Sequence, residues 1–112
     1  MDNLSQLRLI AHEFFDEAEQ SELNNSLNTA ATLYFKAIVV ALDFHILKHE
    51  KLIPKNHTER FYILKSKYND FYLLLDRDFP LYQKTYSLQV NKEQVELLKD
   101  DCKKIFTETD IK

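Results

Sequence analysis

Imidazoles, one thiol, cations set among aromatic rings and a pair of phenols are the groups in this 112-residue chain that can do chemistry at neutral pH. His45 and His49 stand four apart, so a helix carrying them places both rings on one face, as two imidazoles on a shared metal would be placed. Two ligands do not make a site, and no third is spaced nearby. Cationic side chains near a helix C-terminus are also favoured by the macrodipole without any metal. His57 follows Pro54 in a loop or a first helical turn, and His12 sits beside an apolar stripe, where packing or surface roles are the simpler reading. Cys102 has the core spacing of its helix and reads as an inert small hydrophobe; a single cysteine forms no internal disulfide and no Cys-rich zinc site. No metal, no cofactor and no catalytic residue is assigned.

The segment from Arg60 to Tyr86 sets Lys65, Lys67, Arg77 and Lys84 among Phe61, Tyr62, Tyr68, Tyr72, Phe79, Tyr82 and Tyr86. Basic groups beside rings can contact phosphates and stack on bases. The plainer alternative makes Phe61, Tyr68, Phe71 and Phe79 core, with the lysines on the wet face. Tyr82 and Tyr86 share one side of a short element after Pro80, where their hydroxyls can reach a ligand or a neighbouring backbone. Arg77, Tyr82, Lys84 and Tyr86 are therefore the candidate ligand-binding residues.

The elements that must position these groups are helices. The chain contains no glycine, which excludes the phosphate-cradling and dinucleotide loops that need positive φ and close backbone approach, and disfavours tight β-hairpins. With 45% hydrophobic and 29% charged residues it has the composition of one folded domain, spanning residues 1–112. No continuous apolar run approaches the roughly 20 residues of a membrane span, and no secretory signal is visible, so a cytoplasmic location is expected.

Leu4, Leu7, Ala11, Phe14 and Ala18 make an amphipathic stripe from about Asn3 to Gln20. After a polar turn, a second helix runs to about Glu50, apolar almost all round from Leu33 to Leu42, with Ala30, Ala37 and Ala41 permitting close approach. Such a helix must be covered on most sides, by its own bundle or by a second subunit. Pro54 interrupts it. Asn56 and Glu59 have the spacing of a capping box, and a third helix follows with Phe61, Leu64, Tyr68, Phe71 and Leu75 on one face. Asp78-Phe79-Pro80 is expected to end that helix and start a short fourth one to about Tyr86. The last begins near Asn91, with Gln94 three residues on, and carries Val95, Leu98, Cys102 and Ile105; the tail from Thr107 reads as frayed. Charge is uneven: residues 1–35 carry net −5, residues 36–91 net +3 and residues 92–112 net −1.

This succession resembles the HEPN superfamily of small prokaryotic up-and-down bundles of four to five helices. The likeness is carried by Phe14-Phe15-Asp16-Glu17-Ala18-Glu19, Ala30 to Ala37, Pro54-Lys55-Asn56-His57, Leu81 to Ser87 and Asn91 to Val95. It implies a homodimer working with a minimal nucleotidyltransferase as a toxin–antitoxin pair, or otherwise in RNA or nucleotide biology. Catalytic members use an arginine followed, after four to six residues, by a histidine. Here neither Arg60 nor Arg77 has a histidine downstream, and Arg8 and His12 are too close and in the wrong helix. The expected function is therefore a non-catalytic dimeric bundle binding a protein partner or a nucleotide. The alternatives are a divergent RNase using Lys84, Tyr82 or Tyr86, and an RNA-binding module using the basic aromatic segment.

Overall fold

Apolar side chains recurring at steps of three and four can be buried together only if the backbone is helical. The computed structural model describes residues 2–111 and forms five helices, with no strand among those residues. They are α1 (Asn3–Leu23), α2 (Leu27–Glu50), α3 (His57–Lys67), α4 (Asn69–Lys84) and α5 (Lys92–Glu108). The all-α bundle read from the sequence is the observed architecture.

Cross-helix contacts fix the directions. Arg8 lies over the Phe44 ring while Tyr34 donates to Glu22 at 2.7 Å, so α1 and α2 are antiparallel. Phe35 meets Tyr82 and His45 meets Phe71, so α4 is antiparallel to α2. Arg77 reaches Asp101 and Lys84 reaches Gln94, so α5 runs against α4; Lys99 with Glu19, and His12 with Phe106, close the ring back to α1. The result is an up-down-up-down bundle of α1, α2, α4 and α5, with α3 beside the C-terminal half of α2.

Helix α2 is the centre. Ala30, Ala37, Ala41, Ile38, Leu42 and Phe35 are all at most 1% exposed. By length and a mean hydropathy of 1.6 it is the one described helix apolar enough to cross a membrane, which no continuous apolar run in the sequence indicates; 61% of that stretch is buried in the bundle. Its apolar girdle is thus covered largely by its own chain.

Three expected boundaries move. A single helix across Phe61–Leu75 is broken at Tyr68, whose φ of −136° and ψ of 62° lie outside the helical region. Lys67 already reaches Glu50, the last residue of α2, so a straight continuation would carry Phe71 and Leu75 beyond anything to pack on. The Tyr68 hydroxyl donates to Glu50, and the chain reverses there into α4. Pro80 does not end a helix but lies inside α4. Proline removes the bond to the carbonyl four residues back, and here both Pro80 and Asp76 are exposed, on the side of the helix that water can reach. The tail is docked as far as Ile111, which is 1% exposed and whose carbonyl lies 3.2 Å from His12 Nε2; Thr109 is buried and donates to Ile105 at 2.7 Å. Lys112 lies outside the described residues.

Helix starts follow the caps. Asn91 and Gln94 form the full reciprocal box. Asn56 accepts from Glu59 N at 2.9 Å, but the Glu59 carboxylate turns to Lys55 N instead of closing the box. Without glycine, the left-handed turns after α1, α2 and α5 fall to Asn25, Lys51 and Asp110, with φ of 59°, 64° and 57°.

Helix α4 carries a buried acid pair against α5. Asp78 is 0% exposed and Asp101 7%. Arg77 reaches Asp101 at 2.6 Å and Asp78 Oδ1 at 3.4 Å, while Asp78 Oδ2 has no N–H donor among the described residues. Burial, then the hydrogen bond to Asp101, push the Asp78 carboxyl up to about 8. It is held as the neutral acid, sharing its proton with Asp101. A raised carboxyl binds its proton more tightly folded than unfolded, so this contribution is complete below the ordinary aspartate range and is lost as pH rises through about 8. The thermal midpoint of the wild type is expected to fall as pH rises from about 5 to about 8 and to level off above that. Asp78→Asn, which donates without titrating, flattens that slope in a calorimetric pH series.

Candidate functional site

Asp43 stands in the sequence Ala41-Leu42-Asp43-Phe44 on the buried helix, and is 7% exposed. A carboxylate taken from water at such a place needs an ion partner and hydrogen bonds. Arg60 supplies both from α3. Its Nε donates to Asp43 Oδ1 at 2.7 Å and its Nη2 to Oδ2 at 2.8 Å, a two-pronged pair in which Arg60 is 8% exposed. Burial raises the Asp43 carboxyl and Arg60 opposes that shift; two short N–H···O bonds to both oxygens hold the ionised form.

The guanidinium reaches further. Arg60 Nη1 lies 2.9 Å from His57 Nδ1. Arginine only donates, so Nδ1 accepts and the remaining proton of a neutral His57 sits on Nε2, an assignment made from the bonding. Partial desolvation, then the neighbouring Arg60 charge, lower the His57 pKa. His57 is therefore neutral at pH 7 and presents an Nε2–H donor with no free lone pair. It can hold an oxygen, but it cannot serve as a general base through that nitrogen.

His57 and Arg60 border a cavity of about 310 Å³, near the small end of the ligand-pocket range of roughly 300–1,000 Å³. Phe14, Phe35, Val39 and Val40 make its apolar wall; Lys36, Asn56, His57, Arg60 and Tyr82 supply the polar atoms. Tyr82 stacks on Phe35 with centroids 4.5 Å apart and planes 13° from parallel, and Phe79 lies 5.7 Å from the His57 ring. Lys36, Arg60 and His57 line a space that no carboxylate borders among the described residues, the nearby Asp43 being paired with Arg60. Chemically this suits an anion attached to a flat or apolar body.

The four residues singled out from sequence do not converge. Tyr82 lines the pocket, and its hydroxyl shares a hydrogen bond of 2.8 Å with Tyr86, which is 76% exposed. Lys84 donates to Gln94 at 3.1 Å and so joins α4 to the cap of α5. Arg77 belongs to the Asp78–Asp101 cluster and borders a different hollow of about 410 Å³. Lys36, Asp43, His57 and Arg60 were not picked out as a site. A charged residue amid an otherwise apolar helix was the available signal, together with a histidine three residues before an arginine at a helix start.

The His45 and His49 rings lie close, with centroids 4.4 Å apart and planes tilted by 53°, but Tyr68 and Phe71 pack edge-on against His45. Desolvation, then His49, lower the His45 pKa. No group of three metal-ligating side chains occurs among the described residues. Cys102 is 0% exposed, and burial pushes its thiol far up, as expected of an unreactive core cysteine.

Among known proteins, no family model, curated protein or solved structure matches the chain.

Removing one member of a buried ion pair strands the other. Arg60→Met alone is expected to cost about 3–5 kcal/mol in urea denaturation, whereas Arg60→Met with Asp43→Leu recovers most of that loss. A single substitution as mild as the double one would mean that Asp43 is not held as an ion.

Proposed function

We propose that this chain is a non-catalytic cytoplasmic binding module that holds a nucleotide, phosphate toward Lys36 and His57, ring toward Tyr82. One observation carries the reading: Arg60 occupies His57 Nδ1 and so turns the one histidine of the pocket into a donor. Donors, a cation and an aromatic wall without a poised base favour holding a phosphate over cleaving one. This is the non-nuclease form of the HEPN-like reading, and a nucleotide site suits a chain that works beside a nucleotidyltransferase. The RNase alternative asks Lys84, Tyr82 or Tyr86 to stand in for the usual arginine and histidine. Lys84 is tied to Gln94, and the two phenols hydrogen-bond to each other.

Calorimetric titration with adenosine and guanosine mono- and triphosphates tests the proposal. Binding is expected to weaken with added salt. Losing one charge-assisted hydrogen bond, worth about 1.5–3 kcal/mol, should weaken it roughly ten- to hundredfold in Lys36→Ala or His57→Ala. Arg77→Ala should bind as the wild type does. No heat with any of the four nucleotides, or equal binding by all the variants, overturns the assignment.

A further inference from the structure

A hollow of about 1010 Å³ lies away from this pocket, between the end of α1 and the start of α5. Leu27 and Val95 contribute apolar surface to it, and Leu23 stands at its edge, 78% exposed. Acids surround that surface. Glu19 and Glu22 share Lys99, at 3.7 and 3.5 Å, but Asp16, Glu17, Glu93 and Glu96 have no cationic partner among the described residues. The groove is therefore apolar within and net negative at its rim, where six carboxylates outnumber Lys92 and Lys99.

The complementary surface lies at the other end of α2. Lys51 leaves that helix in the left-handed conformation and opens the loop Lys51-Leu52-Ile53-Pro54-Lys55. Leu52 and Ile53 are each 41% exposed, set between two lysines. The Lys51 ammonium bonds the Lys48 carbonyl, and neither Lys51 nor Lys55 has a carboxylate partner for its side chain among the described residues. Two uncovered apolar side chains flanked by two unpaired cations are what the groove lacks.

We propose that this loop docks in the acidic groove of a second copy of the chain, the two copies exchanging loops about a two-fold axis. A loop cannot reach the groove of its own chain, because the 24 residues of α2, about 36 Å of helix, separate them. In an antiparallel pair each loop meets the partner's groove, and the same contact forms twice and closes the assembly. The apolar girdle of α2 is not needed, since its own bundle covers most of it. The docking is independent of the nucleotide reading.

Charge reversal with exchange tests it on the full chain by light scattering, with circular dichroism confirming that each variant folds. At about 100 μM in low salt the wild type should have the mass of a dimer and shift toward monomer as salt screens the rim. Asp16→Lys/Glu17→Lys/Glu96→Lys turns the groove basic opposite a basic loop, and Lys51→Glu/Lys55→Glu makes both surfaces acidic. Each variant alone should be monomeric. An equimolar mixture should return to dimer, because each groove then meets a loop of opposite sign. A monomeric wild type, a variant that still dimerises alone, a mixture that stays monomeric, or masses growing beyond the dimer would each overturn the proposed exchange.

Discussion

Everything in this fold follows from the need to cover α2. A helix apolar around most of its circumference gains stability with each side removed from water, at roughly 25 cal/mol per Å² of apolar surface. Helix α1 packs along it through the alanines at 11 and 18, which leave room for the Phe15 and Phe106 rings to meet nearby. Helix α4 lays Tyr82 flat on Phe35, and α5 contributes Leu98 and Ile105 to the same core. The other three helices of the bundle, with α3 beside them, are enough to close around α2, so the chain needs no sheet, and no glycine, to bury its apolar side chains.

Two acids breach that apolar interior, and the bundle answers them differently. Asp43 meets an arginine that reaches it with two parallel donors, and stays charged. Asp78 meets another acid and only a distant arginine Nε, 3.4 Å away, and keeps its proton. The contrast is one of geometry. The α3 helix carries Arg60 directly over Asp43, whereas Arg77 adjoins Asp78 in sequence, and its side chain, 57% exposed, points outward to Asp101. The first arrangement couples α3 to α2 through charge; the second couples α4 to α5 through a proton.

Much of this architecture was legible from residue spacing. The stripes Leu4 to Ala18 and Val95 to Ile105, the girdle of α2 and the Asn91–Gln94 cap all depend on local periodicity, and all appear where the spacing puts them. What spacing could not show is where a helix runs out of something to pack on. The break at Tyr68 is set by the end of α2, far away in sequence, and Pro80 is tolerated because the bond it removes faces water. The tail through Ile111 is held by His12, ninety-nine residues earlier. The site was hidden for the same reason: Asp43 and Arg60 are seventeen residues apart, and only the reversal after Lys51 brings α3 back along α2. Aromatic and basic side chains drew attention to residues 77–86, of which Tyr82 alone lines the pocket.

The short α3 links the fold to the proposed activity. It is the one helix outside the four-helix ring, anchored by Arg60 on Asp43, by Leu64 in the core and by Lys67 and Tyr68 on Glu50. It also carries two of the pocket's donors, His57 and Arg60. A ligand that bridges His57 on α3 and Lys36 on α2 therefore ties down the element with the fewest other anchors, and binding must favour the docked state of α3 over any undocked one. The Arg60 guanidinium joins the two effects: it fixes the proton of His57 only while it is itself held by Asp43. Stability at the buried ion pair and donor geometry in the pocket are one property of the same side chain.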